Sequence, residues 1–208
     1  MSEQKLSKQT SSRIMKKIAK LIEVEYESDE IQVAEYSVEA FLMNLYKLPI
    51  IFGIAYFLGI FKESIFVYVI MAIMRGCAWG VHLKTSTGCL IFTMCYIYIN
   101  IYISKSIAFN WILVIVLLVG GFINYYKYAP ADTEDRPCLD TNLRQRMWKK
   151  TIFLFSVINI FNLMVFKLYN YTEIFYMVLI SIFFVSLMIH PLMYRIFDRG
   201  YRNYEKYS

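Results

Sequence analysis

The sequence predicts an all-α, polytopic membrane protein of about six transmembrane helices, led by an N-terminal amphipathic segment at the membrane interface. Three observations predict it. The 208 residues are 58% hydrophobic and only 18% charged, with a positive mean hydropathy, whereas a soluble domain carries more charge in shorter apolar runs. The apolar residues gather into six long runs. Many of the 18 tyrosines lie near the ends of those runs, where a ring sits among headgroups while its hydroxyl meets water.

Residues 1–35 are polar and form the first predicted region. Ile14, Ile18, Leu21 and Ile22 recur at helical spacing, while Arg13, Lys16, Lys17 and Lys20 take the other face. A helix lying on a bilayer has that pattern; a partly ordered basic tail is the alternative. The stretch lacks an apolar region ahead of a small-residue cleavage site, so no cleavable signal peptide is expected.

A span needs about 20 residues at helical rise. The candidates run over 38–60, 64–83, 89–104, 107–126, 151–168 and 173–196. The third is short, and Ser104-Lys105-Ser106 makes a tight connection to the fourth. The long interior connection runs from Lys127 to Lys150, with Pro130, Pro137 and dense charge. This divides the chain into an amphipathic segment at 1–35, a membrane domain at 36–198 containing the connection 127–150, and a tail at 199–208.

Orientation follows from counting Lys and Arg. With the N-terminus inside, eighteen of the 22 basic residues fall on the cytoplasmic side, against Lys62, Lys105 and Lys167 outside and Lys47 within the first span. Such a bias sets topology. Both termini, the 64–83/89–104 junction and the long connection are therefore expected in the cytoplasm. The net charge of +6 is spread over short segments between apolar runs. That layout suits a lipid bilayer as partner and not nucleic acid.

Four cysteines occur, Cys77, Cys89, Cys95 and Cys138, without a CxxC or disulfide-like spacing. Cys77 and Cys95 fall in apolar runs and read as small packing residues. Cys89 differs, because it follows the polar run Thr85-Ser86-Thr87-Gly88 and stands seven residues after His82. A thiol near its ordinary pKa is only a few per cent thiolate at neutral pH, so a nucleophilic cysteine needs activation. His82 supplies a base. The Thr-Ser-Thr run suits a helix start, whose positive end favours thiolate and whose free N–H groups suit an oxyanion.

Spacing adds a condition. Seven residues on an unbroken helix separate two side chains by about 10 Å along the axis, while a base works within about 3 Å of its proton. The chain must therefore turn back between His82 and Cys89, and Gly88 with the run before it allows a turn. Arg75, inside an apolar run, needs a partner or a wet cavity, because a buried arginine costs about 3 kcal/mol in a span. It is placed to meet a substrate carboxylate, to steady the loop, or to snorkel to the headgroups. Gly76 and Gly80 are four apart and suit close helix packing.

Arg75, Gly80, His82 and Cys89 at these spacings, in a polytopic chain of this size, resemble the accessory gene regulator B (AgrB) family of Gram-positive bacteria. Tyr128-Ala129-Pro130-Ala131-Asp132-Thr133, then Arg136-Pro137 and the basic Lys149-Lys150, look like the family's connection after the fourth span. The chain departs from the family at Trp79, where many members have a second glycine, and at Arg136, where lysine is usual.

The resemblance implies a cysteine endopeptidase of quorum sensing and virulence regulation. It cuts a short AgrD-type propeptide near its C-terminal side and closes the remainder into a thiolactone or lactone. Cys89 is then the nucleophile and His82 the base, with Arg75, Gly80 and Ser86 contacting substrate. Ser86 and Thr87 also suit capping. Arg144, Arg146, Lys149 and Lys150 are candidates to attract an acidic propeptide tail, or to meet headgroups. A homodimer is also implied. HExxH and GxSxG are absent, so no metal or other cofactor is expected. The alternative is a peptide transporter in which His82 and Arg75 line a path; no inverted repeat supports it.

Overall fold

The computed structural model describes residues 10, 12–17, 20, 47–83, 85–133 and 140–202. Two compact units divide the chain, Met1–Gly59 and Ile60–Ser208. In the first, residues 12–17 are helical and α1 runs over Lys47–Phe57. Ile14 of the expected amphipathic stripe lies in that short helical stretch, whereas Ile18, Leu21 and Ile22 lie outside the described residues. So do residues 38–46 of the first expected span.

The second unit contains α2 (Phe61–Ala78), α3 (Ser86–Ser106), α4 (Trp111–Tyr128), α5 (Thr141–Tyr169), α6 (Thr172–Met188) and the short α7 (Pro191–Ile196). Among the described residues, three helices and not six are long and apolar enough to cross a membrane: α3, α4 and α5. α1 and α6 are shorter apolar helices. The element limits move for local reasons. α2 stops at Ala78, short of residue 83, because Trp79 and Gly80 take positive φ angles of 59° and 119°. α3 is longer than 89–104 because Thr85 caps its start and Lys105 is still helical. The tight connection thus lies at residues 107–110 and not at Ser104-Lys105-Ser106.

α5 begins at Thr141, well before residue 151, because Asp140 accepts from the Asn142 N–H at 2.8 Å. Its 29 residues span about 43 Å at helical rise, against a hydrocarbon core of about 30 Å. The polar opening turns, which carry Arg144, Arg146, Lys149 and Lys150, give the surplus length. The expected last span breaks after Met188, since Pro191 cannot continue a helix and instead opens α7. His190 caps α7 through Nδ1, which accepts from the Leu192 N–H at 3.2 Å.

α6 is apolar on nearly every face, which suits a helix surrounded by others. It packs against α2, α3, α4 and α5 and buries residues along its whole length, from Phe175 to Met188. One polar seam joins it to α3. Asn100 donates to Ser181 Oγ at 2.8 Å and to the Met177 carbonyl at 3.3 Å, and Ser104 donates to Asn100 Oδ1 at 3.1 Å. Such interhelical bonds hold helices together where apolar burial discriminates little.

Candidate active site at the α2–α3 loop

The loop between α2 and α3 forms because the helix cannot pass Trp79. A tryptophan at φ 59° is a strained conformer, costing on the order of 1–3 kcal/mol. Gly80 follows at φ 119°, where glycine alone is at ease. The reversal is held by main chain from two distant segments. Ala131 donates its N–H to the Ala78 carbonyl at 3.0 Å and accepts from the Gly80 N–H at 3.0 Å, forming a parallel bridge between Trp79 and Ala131. The Val81 N–H then donates to the Met188 carbonyl at 3.1 Å.

Gly80 is buried inside this crossing. A Cβ there would meet the Met188 carbonyl oxygen at 3.2 Å and Ile189 Cγ2 at 3.3 Å. Close backbone approach is thus what this position serves. At Gly76, by contrast, an added Cβ would meet nothing within 4 Å among the described residues, so among them no helix packs closely there.

Two guanidinium groups grip the next residues. Arg75 Nη2 donates to the Val81 carbonyl at 3.0 Å and lies 3.4 Å from His82 Nε2. Arg199, just beyond α7, donates through Nε to the His82 carbonyl at 3.0 Å. The His82 ring itself is exposed. Guanidinium has no acceptor atom, so a bond to Nε2 uses that nitrogen's lone pair and leaves the proton on Nδ1. Arg75 therefore steadies the loop and orients the imidazole together.

Cys89 is the fourth residue of α3 and is half-buried. Thr85 caps the helix: Gly88 N–H donates to its Oγ1 at 3.1 Å and Cys89 N–H to its carbonyl at 3.1 Å. Those two amides are thus engaged and do not serve as the free oxyanion donors expected from the sequence. The Cys89 carbonyl accepts from Thr93 Oγ1 at 2.8 Å. The thiol lies within electrostatic reach of Tyr68 on α2. Tyr68 is seven residues before Arg75, so the two share a helix face. The two stand about 10 Å apart along α2.

The structure gathers Arg75, Gly80 and His82 into one cluster and sets Ser86 and Cys89 in the opening turns of the helix that follows. Ser86 is the first residue of α3 and half-buried. Arg144, Arg146, Lys149 and Lys150 lie on the first turns of α5 at the same end of the unit, outside that cluster. Arg144 is half-buried there and the other three are exposed. Lys84 and Cys138 fall outside the described residues, as do Arg136 and Pro137. Among the described residues, no group of three His, Cys, Asp or Glu side chains is placed to hold a metal ion.

Three residues at this end were not singled out for a role by the sequence. Asp132 is a carboxylate only 2% exposed. The Tyr194 hydroxyl is placed to donate to the carbonyls of Asp132, at 2.9 Å, and Ala131, at 3.2 Å. Arg199 holds the His82 carbonyl. Asp132 had one signal, its place in the Tyr128-Ala129-Pro130-Ala131-Asp132-Thr133 run; Tyr194 and Arg199 had none, being distant in sequence.

Comparison with known proteins follows the same residues. The model of the family described as Accessory gene regulator B matches residues 11–189. An AgrB-like protein of Clostridium acetobutylicum is 26% identical over 203 residues, covering 95% of both chains. An AgrB-like protein of Listeria innocua is 25% identical over 174 residues, 84% of this chain and 83% of its own. One from Listeria monocytogenes serotype 4b is 27% identical over 177 residues, with the same coverage. No solved structure matches the chain. With the family model covering all but the chain's two ends, this protein belongs to the accessory gene regulator B family.

Proposed function

We propose that the protein is a membrane-embedded cysteine endopeptidase that cuts an AgrD-type propeptide on its C-terminal side and closes the N-terminal part into a ring. The observation that carries this reading is the break between α2 and α3. It puts an exposed imidazole beside Arg75, on a loop whose His82 carbonyl Arg199 holds, and that loop leads into the helix whose first turn carries Cys89.

In the reaction Cys89 sulfur attacks the scissile carbonyl while the thiol proton passes to His82. The C–N bond then breaks, and His82 returns the proton to the departing amine. The propeptide's own cysteine or serine next attacks the acyl carbon, forming the ring C–S or C–O bond and freeing Cys89. Thioester exchange is nearly balanced, whereas making a thioester from an amide is uphill. Water must therefore be kept out and the internal nucleophile held close.

The Arg75 contact sets one condition on this chemistry. His82 accepts a proton at Nε2 only after Arg75 has released that lone pair. A substrate carboxylate is a suitable lure for the guanidinium. The basic opening turns of α5 offer a field for an acidic tail at the same end. In this reading the chain crosses the membrane several times with that end in the cytoplasm, which the excess of eighteen basic residues against three supports.

Co-expression of a tagged propeptide with wild type, Cys89→Ala and His82→Ala tests the proposal by mass spectrometry of the products. Cleavage falls at least about a thousandfold in both variants with protein level unchanged, while Cys138→Ala still cleaves. Normal cleavage in Cys89→Ala, with secretion alone impaired, would instead favour a transporter.

A further inference from the structure

We propose that Leu83 and Gly88 form a clasp that sets how the loop carrying His82 sits on the helix carrying Cys89, each acting as a positioning residue. Its functional meaning rests on the peptidase reading, whereas the contact itself does not. Gly88 lies in the first turn of α3 and has no left-handed φ, so its backbone is one that any residue adopts. Glycine weakens a helix. The position therefore asks for an absent side chain and not for a special turn. A Cβ there would stand 3.2 Å from Leu83 Cδ2, 3.9 Å from Leu83 Cβ and 2.7 Å from Thr85 Oγ1. The half-buried Leu83 side chain thus lies over the bare Gly88 backbone.

Each half of this contact is one peptide bond from a residue of the proposed dyad. Leu83 follows His82, and Gly88 precedes Cys89. On the upstream side, the Val81 N–H bond to the Met188 carbonyl and the Arg199 bond to the His82 carbonyl hold the chain. On the downstream side, Thr85 caps α3 by accepting from the Gly88 N–H. Leu83 closes the interval between those anchors. An apolar residue just ahead of a cap that packs on the first turn fixes the angle at which the chain enters its helix. Here that angle sets where the imidazole stands relative to the thiol. A side chain at position 88 would push Leu83, and His82 with it, off the turn.

The test is a double-mutant cycle on the full chain, read on the His82 ring in detergent and on propeptide cleavage. The chain has 2 histidines, so ¹³C-histidine labelling gives a His82 ring signal that His82→Ala assigns. Gly88→Ala moves that signal and leaves the His190 signal in place. It also lowers kcat at least about tenfold with KM within about twofold of wild type, at an unchanged thermal midpoint. In a Leu83→Ala background the same substitution does neither. The His82 signal stays where Leu83→Ala alone puts it, and kcat changes by less than about twofold. A Gly88→Ala effect that survives in that background acts through Thr85 and overturns the clasp, as does an unmoved His82 signal in Gly88→Ala. Where Gly88→Ala fails to accumulate, Leu83→Ala/Gly88→Ala restores it; continued loss overturns the proposal. The expected ring shifts alongside normal cleavage by His82→Ala would sink the peptidase reading and leave the clasp standing.

Discussion

The two ends of the Ile60–Ser208 unit are built by opposite means. At the end distant from the α2–α3 loop, side chains do the closing. Phe109 stacks on Phe166 at 4.7 Å between ring centroids, Phe166 meets Phe175 at 4.5 Å, and Trp111 stands edge-on to Phe109 at 4.9 Å. The turn there is capped by Asn110, whose own N–H donates to the Tyr176 hydroxyl at 2.9 Å. At the loop end the main chain does the closing, through strained Trp79, the Ala131 bridge and the Val81–Met188 bond. The first arrangement rests on ring contacts around the buried Phe175 and Tyr176, with Trp111 left at the surface. The second satisfies the backbone by main-chain bonds and keeps the His82 ring exposed beside Arg75.

That contrast is broken most forcibly at the aromatic end. Phe175 is 2% exposed and touches Phe109, Phe166 and Tyr176. Phe175→Ala is expected to cost about 3–5 kcal/mol of stability, as large-to-small core changes do. Thermal unfolding in detergent shows the loss as a lower midpoint. Propeptide cleavage per folded molecule stays within about twofold of wild type, because no loop-end bond is touched. A tenfold fall in cleavage by the folded fraction would mean that the two ends are coupled.

Gly80→Ala reverses the pattern. The new Cβ meets the Met188 carbonyl oxygen at 3.2 Å and sits on a residue at φ 119°, a strain on the order of 1–3 kcal/mol. The loop answers by shifting, which moves Val81 and His82 away from Arg75. Cleavage is expected to fall at least about tenfold, since small misplacements of catalytic groups are costly. The thermal midpoint moves little compared with Phe175→Ala. Equal loss of both properties would show that Gly80 serves the fold alone.

Much of this was legible in the residues and some could not be. Hydropathy located the five longer helices of the unit, yet misjudged their ends and ran α6 and α7 together as one span. Thr141–Lys150 is too polar to read as part of a span, but Asp140 caps it and the helix continues. Pro191 splits the last run by removing a donor, a signal that was present in the chain. Arg75, Gly80 and His82 were legible as a group because they share one stretch. Asp132, Tyr194 and Arg199 were not, since their link to that stretch is a backbone bridge and two long-range bonds. Pairwise contacts across about fifty or more residues leave no trace in local spacing. The amides of Gly88 and Cys89 illustrate the reverse failing: a helix start promises free donors, and Thr85 takes these two.

The smallest effect belongs to the ion pair at the aromatic end, Lys105 Nζ to Glu63 Oε1 at 2.6 Å, which joins the last turn of α3 to the first of α2. Its side chains are 37% and 29% exposed. Charges so accessible are screened and give up side-chain freedom to meet, so such a pair contributes at most about 1 kcal/mol. Lys105→Met is accordingly expected to lower the thermal midpoint slightly, less at high salt than at low, with cleavage unchanged. The double variant Lys105→Met/Glu63→Gln should lose no more than Lys105→Met alone, since the pair is then already gone. A drop as large as that of Phe175→Ala would show that this end is held by charge and not by its rings, and the contrast between the two ends would fail.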